Sequence, residues 1–452
     1  MMRRSVKREF FGNVIPSMIA FAFTGVYAIV DGFFVGRNVG DAGLAAINVA
    51  YPLVALIQAA GTGLGMAGAI QIAINKGKGD EGTERRYLGN AFVLLLLAGI
   101  LLTGLLLMFY PVILRLFGAS GEIYTYGAGY IRIIAAGAAI QVFSTGMMPI
   151  IRNYDGAVTA MAAMVAGFVT NIIFDWLFVS VLGYGVEGAA VATLMGQAVT
   201  VVPAVIYLTR KVGLFHYAYF PLRGNVVRYL LAIAASPFGL TLSPNIVIMI
   251  INKGSIVYGG DTAVSCYAVV SYVICVVQLL VQGVGDGAQP LIGRYYGSRE
   301  YEGVRKVRAM AYMMAAGVTI LCIGAIIMTR GSLAGIFGVS SQVQEMYETV
   351  ILYFAAGLVF AAFLRVTTSY FYAVEQNLSA YILIYGEPSL LAVLIALVLP
   401  GLLGLSGVWI AEPVTQASLA LAGGLLLARS AGRSAGNRES QTQSGSRKEG
   451  ST

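Results

Sequence analysis

Twelve long apolar runs constrain this chain more than any other feature of its sequence. A helix needs about 20 residues to cross the hydrocarbon core of a bilayer, and each run is about that long or longer. The chain is also 58% hydrophobic and only 11% charged, whereas a soluble domain is about 25% charged. The sequence therefore predicts an all-α membrane protein with twelve transmembrane helices. The runs lie at residues 12–36, 43–74, 88–113, 122–150, 157–182, 187–209, 229–257, 262–293, 309–329, 344–372, 377–400 and 404–428.

The basic residues between these runs fall mainly on one side of the predicted membrane. With the N-terminus in the cytoplasm, most of the 29 lysines and arginines, Arg152 among them, lie in cytoplasmic connections or in the termini. Cytoplasmic loops of membrane proteins carry such an excess. We therefore expect a multi-pass protein of the cytoplasmic membrane with both termini cytoplasmic. The net charge of +8 then reflects topology, and no nucleic-acid partner is predicted.

The sequence also repeats itself. Residues 40–80 match residues 260–300 at a constant offset of 220, and residues 188–197 echo residues 407–416 at an offset of 219. Each repeat holds six runs, so the repeats share one orientation, as in many transporters whose sites lie at the repeat interface. We therefore expect two pseudo-symmetric six-helix lobes. The predicted bounds are 1–210 for the N-terminal lobe, 211–228 for a cytoplasmic linker, 229–428 for the C-terminal lobe and 429–452 for a disordered cytoplasmic tail.

Polar side chains inside the apolar runs mark a candidate ion site. Asp31 lies within the first run, and Asn171 and Asp175 lie one helical turn apart in the fifth. A charge at membrane depth is costly and usually functional. Thr193, in the sixth run, supplies one more oxygen. Carboxylate, amide and hydroxyl oxygens suit either Na⁺ or a shared proton, so these four residues are the predicted coupling site.

Five further residues are predicted to take part in transport. Pro16 interrupts the first run, where it would act either as a hinge that lets the helix bend or as a simple tolerated kink. Tyr27, one turn before the first carboxylate, could contact a flat cation. Asp286, Glu387 and Glu412 lie in apolar runs of the second half. Each of these three acids could line the substrate path or form a second coupling site, or could be a capped or interfacial acid.

Five motifs are specific when they are taken together. They are VDGFFVGRNVG (30–40), AINVAYP (46–52), NIIFD (171–175), QGVGDGAQPLIGRYYG (282–297) and GVWIAEP (407–413). With them, residues 5–428 resemble the bacterial branch of the multidrug and toxic compound extrusion (MATE) family. The resemblance implies a V-shaped, two-lobed bundle that works by alternating access and exports drugs as Na⁺ or H⁺ enters. It also implies a cation pocket at the four predicted coupling residues and a first helix that bends at Pro16.

The leading hypothesis is therefore a secondary active antiporter that exports organic cations in exchange for Na⁺ or H⁺. The alternative is a flippase for lipid-linked saccharides, a function of related architecture, whose cavity should be lined with arginine to hold diphosphate. An enzyme is not predicted, because the chain has one histidine and three scattered cysteines. No cofactor is predicted besides the coupling ion. The expected partners are small organic cations and the lipid bilayer, with the protein as a monomer.

Overall fold

The regular structure is helical throughout the residues that the computed structural model describes. These are residues 5–213, 216, 219–336 and 339–449 for the backbone, and the same residues except 27–29, 31, 32, 41, 336 and 431–449 for the side chains. The N-terminal half comprises α1 Val6–Val39, α2 Asp41–Lys78, α3 Glu81–Leu116, α4 Gly121–Ala136, α5 Ala138–Asn153, α6 Ala157–Asp175 and α7 Gly185–Val212. The C-terminal half comprises α8 Gly224–Gly297, α9 Tyr301–Ile336, α10 Ser341–Ala373, α11 Asn377–Val393, α12 Leu399–Leu403 and α13 Leu405–Glu449.

These helices account for the twelve predicted spans. In the part of the chain that is described, ten helices are long and apolar enough to cross a membrane, and α4 and α5 together pass the same test across a 59° bend. The 74-residue α8 joins two helices across a break at Gly260 and therefore supplies two spans. The fourth run is bent rather than straight because its helix breaks at Gly137, where a Cβ would lie 2.3 Å from the side chain of Leu194. The prediction of twelve transmembrane helices is confirmed.

The sequence repeat is also a repeat of backbone turns. Gly40, which links α1 to α2, has φ 81° and ψ −165°, and Gly260, at the break in α8, has φ 64° and ψ −160°. Asp155 and Glu375, which follow α5 and α10, have φ of 66° and 61°. Each pair is separated by 220 residues. Positive φ is uncommon for residues other than glycine, so its recurrence at matching positions means that the two halves share one backbone plan.

The two halves pack directly against each other where α2 and α8 end. A Cβ on Gly77 would lie 2.0 Å from the carbonyl oxygen of Arg294, and a Cβ on Gly297 would lie 2.0 Å from that of Ile74. Glycine is required at both positions because the two backbones are in contact. The two contacts are equivalent under the 220-residue offset, so they have pseudo-two-fold symmetry. We name this end of the bundle, which holds Lys78 and Gly297, the basic end.

The first helix adds to the contact between the halves. It lies along the second arm of α8, residues 261–297, where a Cβ on Gly283 or Gly287 would come within 2.6 Å of an α-carbon of α1. Near the basic end, the Glu9 carboxylate forms an ion pair with the guanidinium of Arg294. The bundle is therefore closed toward the basic end, and a solute could pass there only if the two halves separated.

The segments beside the predicted lobes are partly described. The hydroxyl of Tyr219, in the predicted linker, accepts a hydrogen bond from Arg85 on α3 at 2.8 Å, and the carbonyl of Pro221 accepts one from Asn90 at 3.3 Å. The linker therefore packs against α3. The backbone of α13 continues to Glu449 through the segment predicted as a disordered tail, and its side chains after residue 430 lie outside those described. The bounds of the lobes, the linker and the tail stay predictions.

Candidate ion and substrate sites

Three of the four predicted coupling residues are buried on adjoining helices. Asn171 and Asp175 lie one turn apart on α6 and Thr193 lies on α7, with exposed fractions of 2%, 0% and 6%. The two helices touch beside Asn171, where a Cβ on Gly196 would lie 3.0 Å from the Asn171 Cβ. Because α6 and α7 run antiparallel, one turn further along α6 is level with one turn back along α7. Thr193 therefore lies at the height of Asp175, and the three residues can form one pocket.

The side-chain amide of Asn171 is buried and bonds to no residue that the structure describes. Neither its oxygen nor its nitrogen forms a hydrogen bond with any described residue. Such an atom costs roughly 1–3 kcal/mol, so its presence usually has a structural or functional reason. An amide oxygen one turn from the carboxylate of Asp175 is a suitable ligand for a hard cation. The pocket thus has an oxygen available for a ligand.

A π-helical turn follows Asp175 directly. The α-helix ends at this residue, and Trp176–Val181 continues as a π-helix. Turns of this kind are frequent at functional sites. Asn38, near the end of α1, donates a hydrogen bond at 3.0 Å to the hydroxyl of Ser180 in the turn. This bond anchors α1 next to the predicted pocket.

Two predicted residues of α1 have side chains outside the described residues. They are Asp31 and Tyr27, whose backbone belongs to the continuous helix Val6–Val39 that packs against α6. Their roles therefore stay predictions. Pro16 is buried within the same helix, and its role as a hinge also stays a prediction.

Asp286, predicted to line the substrate path, lies where the two halves meet. Its side chain is only 3% exposed. Gln282 and Tyr372, both in the C-terminal half, donate hydrogen bonds to its Oδ1 at 2.7 and 3.0 Å. Arg152, in the N-terminal half, approaches its Oδ2 with Nη2 at 3.6 Å. The carboxylate therefore bridges the two halves through a buried ion pair.

Arg152 is the candidate that sequence reasoning missed. The charge count assigned it to a cytoplasmic connection, but it lies at the end of α5 with 5% exposure, and its guanidinium is 5.7 Å from the centre of the Phe21 ring. The charge count uses only the position of a residue between two apolar runs, so it cannot show whether a side chain at a helix end is exposed or buried. One signal was available in the repeat, since an offset of 220 aligns Arg152 with Tyr372, and both now contact Asp286.

Glu387 and Glu412 share one amide donor. Nε2 of Gln416 donates a hydrogen bond to Oε1 of Glu387 and another, at 3.2 Å, to Oε1 of Glu412. Glu412 is 7% exposed, and its Oε2 has no hydrogen-bond partner among the described residues. The hydroxyl of Ser243 lies 3.5 Å from Glu387. The fold thus brings two of the predicted acids together on α11 and α13, whereas Asp286 has a different set of bonded partners.

This pair of acids occupies helices equivalent to those of the first pocket. The helices α6 and α11 hold corresponding places in the two halves, and each continues into a π-helical turn, Trp176–Val181 and Leu394–Val398. On the following helix, an offset of 219 aligns Thr193 with Glu412 and Gln197 with Gln416. Both halves therefore carry polar groups at this position, but the C-terminal half has an acid where the N-terminal half has a hydroxyl.

A polar cavity of about 450 Å³ lies at the basic end. The carboxylate of Glu375 accepts hydrogen bonds from Gln71 and Tyr229, each at 2.8 Å. Gln71 belongs to the N-terminal half and the other two residues to the C-terminal half, so this cavity also lies between the halves. The lining residues are Gln71, Asn75, Lys78, Thr83, Tyr87, Asn225, Val226, Tyr229 and Glu375.

Comparison with known proteins gives the family. The family model MatE matches residues 16–177 and 232–398, one segment in each half and most of the chain. The chain belongs to the MatE family. Relatives of this MatE-family chain include the multidrug export protein MepA of Staphylococcus saprophyticus subsp. saprophyticus, 21% identical over 422 residues with 91% of each chain covered. The probable multidrug resistance protein YoeA of Bacillus subtilis is 23% identical over 316 residues, or 67% of each chain.

Solved MATE structures share the fold of this MatE-family chain. An outward-facing multidrug resistance MATE family transporter of the MOP superfamily matches with a TM-score of 0.85 at 24% identity, covering 94% of this chain and 95% of the other. A MATE structure in the straight conformation matches with a TM-score of 0.86 at 24% identity, covering 94% and 96%. The expected two-lobed, V-shaped bundle of helices is confirmed.

Proposed function

We propose that this MatE-family chain is a secondary active antiporter that exports organic cations across the cytoplasmic membrane in exchange for Na⁺ or H⁺. The observation that carries the proposal is the buried polar cluster on α6 and α7, where the Asn171 amide, which bonds to no described residue, lies one turn from the fully buried Asp175. Ionisable residues at membrane depth typically mark ion or proton pathways. The names of the relatives, multidrug export and multidrug resistance proteins, support small-molecule substrates.

The pocket drives export if it binds the coupling ion more tightly in one conformation than in the other. A ligand shifts a conformational equilibrium only by its difference in affinity for the two states. The bond from Asn38 to Ser180 links α1 to the turn that follows Asp175, so a movement of α1 changes the geometry of the pocket. Asp31, on α1, would supply the second carboxylate. Ion binding and the shape of the N-terminal half are then coupled.

The preference for cationic substrates rests on charge. The helices of the C-terminal half carry three acids, of which Asp286 and Glu412 are buried and Glu387 is half-buried, and carboxylates favour positive ligands. A flippase for lipid-linked saccharides would instead need free guanidinium groups for diphosphate. Among the described residues two guanidinium groups are buried, those of Arg152 and Arg365, and the first already has an acid beside it. Organic cations are therefore the better-supported substrates.

Efflux from proteoliposomes tests this proposal. Ethidium efflux would be followed with a Na⁺ gradient and a pH gradient imposed separately, for the wild type, Asp31→Asn and the surface control Asp80→Asn. We expect one gradient to drive efflux in the wild type and in the control, and the Asp31→Asn variant to lose it. The effective gradient names the coupling ion. Efflux that neither gradient accelerates would reject antiport.

We further propose that the basic end faces the cytoplasm and that the transporter works as a monomer. The first proposal follows from the lysines and arginines at this end, which favour the cytoplasmic side. Labelling of Lys78→Cys, in a protein whose native cysteines are replaced, tests the orientation. A membrane-impermeant maleimide should react with this cysteine in permeabilised cells and not in intact cells. Light scattering of the purified protein, corrected for bound detergent, tests the proposal that it is a monomer.

A further inference from the structure

The buried ion pair between the halves is held asymmetrically. Oδ1 of Asp286 accepts hydrogen bonds from Gln282 and Tyr372 at 2.7 and 3.0 Å, and both donors belong to the same half as the acid. Its Oδ2 faces Arg152, which belongs to the other half. Because the carboxylate is oriented by its own half, it would keep its orientation if the two halves separated at the basic end.

Arg152 is held much less firmly than the acid that it faces. Its Nη2 is 3.6 Å from Oδ2, whereas a charge-assisted hydrogen bond is about 2.7–2.9 Å long. Its Nε has no hydrogen-bond partner among the described residues. The pair is therefore joined mainly by Coulomb attraction in a dry environment, which is strong but does not depend on a fixed bonding geometry. Another cation of suitable size could replace the guanidinium.

The present conformation seals this pair from solvent. Arg152 and Asp286 are 5% and 3% exposed. The backbone of α1 is pressed against the glycines on either side of the acid, Gly283 and Gly287. When the halves separate, Arg152 leaves with the N-terminal half. The carboxylate then faces the opening without the positive charge of Arg152, so a cation that enters the opening can pair with it.

We propose that Asp286 binds the cationic group of the exported solute when the halves separate at the basic end, and that Arg152 is a built-in competitor that displaces the solute as they close. This inference rests on the proposed function, because it requires a bundle that opens at this end. It assigns the solute class as monovalent organic cations. It also explains why Asp286 lies between Arg152 and Tyr372, equivalent positions of the two halves: Tyr372 stays bonded to the acid within its own half, and closure adds Arg152 from the other half.

Binding of a permanent cation to the purified full-length protein in lipid nanodiscs tests the inference. The probe is radiolabelled tetraphenylphosphonium, and the proteins are wild type, Arg152→Gln, Asp286→Asn and the double variant. We expect Asp286→Asn to raise the Kd about tenfold, the effect of one lost charged contact. We expect Arg152→Gln to lower the Kd several-fold, because the competitor is gone. The double variant, which leaves no unpaired charge to disturb folding, should bind as weakly as Asp286→Asn.

Two controls separate competition from a general loosening of the contact. Glu9→Gln breaks a half-buried ion pair between the halves, that with Arg294, and leaves Asp286 untouched. The Kd of this variant should stay within about twofold of the wild type. Tetraphenylborate, an anion of the same shape, should gain no affinity from Arg152→Gln. Adding Na⁺ at constant ionic strength should not displace the probe from Arg152→Gln.

Several results would overturn the inference. One is a change of Kd in the same direction for Arg152→Gln and Asp286→Asn. Another is a gain in affinity that persists in the double variant or that Glu9→Gln reproduces. Either result would mean that Arg152 only holds the halves together and does not compete with the solute for Asp286. Displacement by Na⁺ would reassign Asp286 to the coupling ion. These outcomes leave gradient-driven efflux by the wild type intact and so are distinct from failure of the proposed function. A wild type that binds no probe and shows no efflux would reject both.

Discussion

The two halves of this transporter share a backbone plan but differ in where they place charge. Their turns recur at a 220-residue offset, and at the basic end each half places one glycine, Gly77 or Gly297, against the backbone of the other. Their polar residues differ, however. On α6 and α7 the N-terminal half has Asn171, Asp175 and Thr193, whereas on α11 and α13 the C-terminal half has Glu387 and Glu412 bridged by Gln416. The two halves therefore share one backbone plan and differ in the polar side chains that they place on it.

The largest expected effect is on the rate of efflux, and it tests the polar residues of the N-terminal half. Asp175→Asn should slow gradient-driven efflux about 100-fold, because it removes a charge that contributes up to about 3 kcal/mol to holding a bound cation. The measurement is the initial rate of ethidium efflux from proteoliposomes. Asp155→Asn, which changes an exposed acid paired with Lys76, is the control and should keep a rate near that of the wild type. Equal rates for both variants would remove the N-terminal pocket from the mechanism.

The next effect tests the symmetry of the closed contact. Gly77→Ala and Gly297→Ala should each destabilise the form closed at the basic end by about 1–3 kcal/mol, the usual cost of overpacking. Both should shift the distance distribution between spin labels at Glu81 and Glu302 toward longer values, and by similar amounts. Gly12→Ala is the control, because nothing lies within 4 Å of a Cβ at that position. Unequal shifts would mean that the two backbone contacts are alike in geometry but differ in how much they stabilise the closed form.

A smaller effect concerns the acids of the C-terminal half. Because Glu387 and Glu412 bond the same Gln416 nitrogen, their carboxylates are close enough to repel each other when both are charged. Glu412→Gln should therefore raise the free energy of unfolding by roughly 1 kcal/mol, a modest like-charge term, and should slow efflux less than tenfold. Gln416→Leu removes the shared donor and should lower stability. Thermal unfolding in detergent measures both, and a destabilised Glu412→Gln would contradict the repulsion.

The last effect is on stability alone, and it compares the turns after α2 and after the second arm of α8. Gly79 has φ 74°, and Arg299, 220 residues later, has φ 61°. Arginine is strained in this left-handed region. Arg299→Gly should therefore stabilise the protein by about 0.5–1 kcal/mol, and Gly79→Ala should destabilise it by about 1–2 kcal/mol. Chemical unfolding gives both values. Effects of the same sign would show that the two turns differ in more than residue type.

Much of the fold could be predicted from the sequence because the bilayer imposes length and polarity on each helix. The twelve runs and the burial of Asn171 and Asp175 follow from this constraint, and the repeat follows from the constant offset of 220 residues. The pairing of Glu387 with Glu412 was not predictable. These acids lie on different helices, and their meeting depends on how far each helix is rotated and shifted against the other, which apolar runs do not specify.

Arg152 illustrates the limit most clearly. Its position at the end of an apolar run predicts a residue at the membrane surface, yet it is buried against Asp286 of the other half. Sequence alone determined that this is a twelve-helix membrane protein of two repeats with acids in its interior, because hydrophobicity and offset are properties of the chain. Only the tertiary structure decided which charges meet and which end is closed, because contacts between the halves depend on how the two halves are placed against each other, which the apolar runs do not specify.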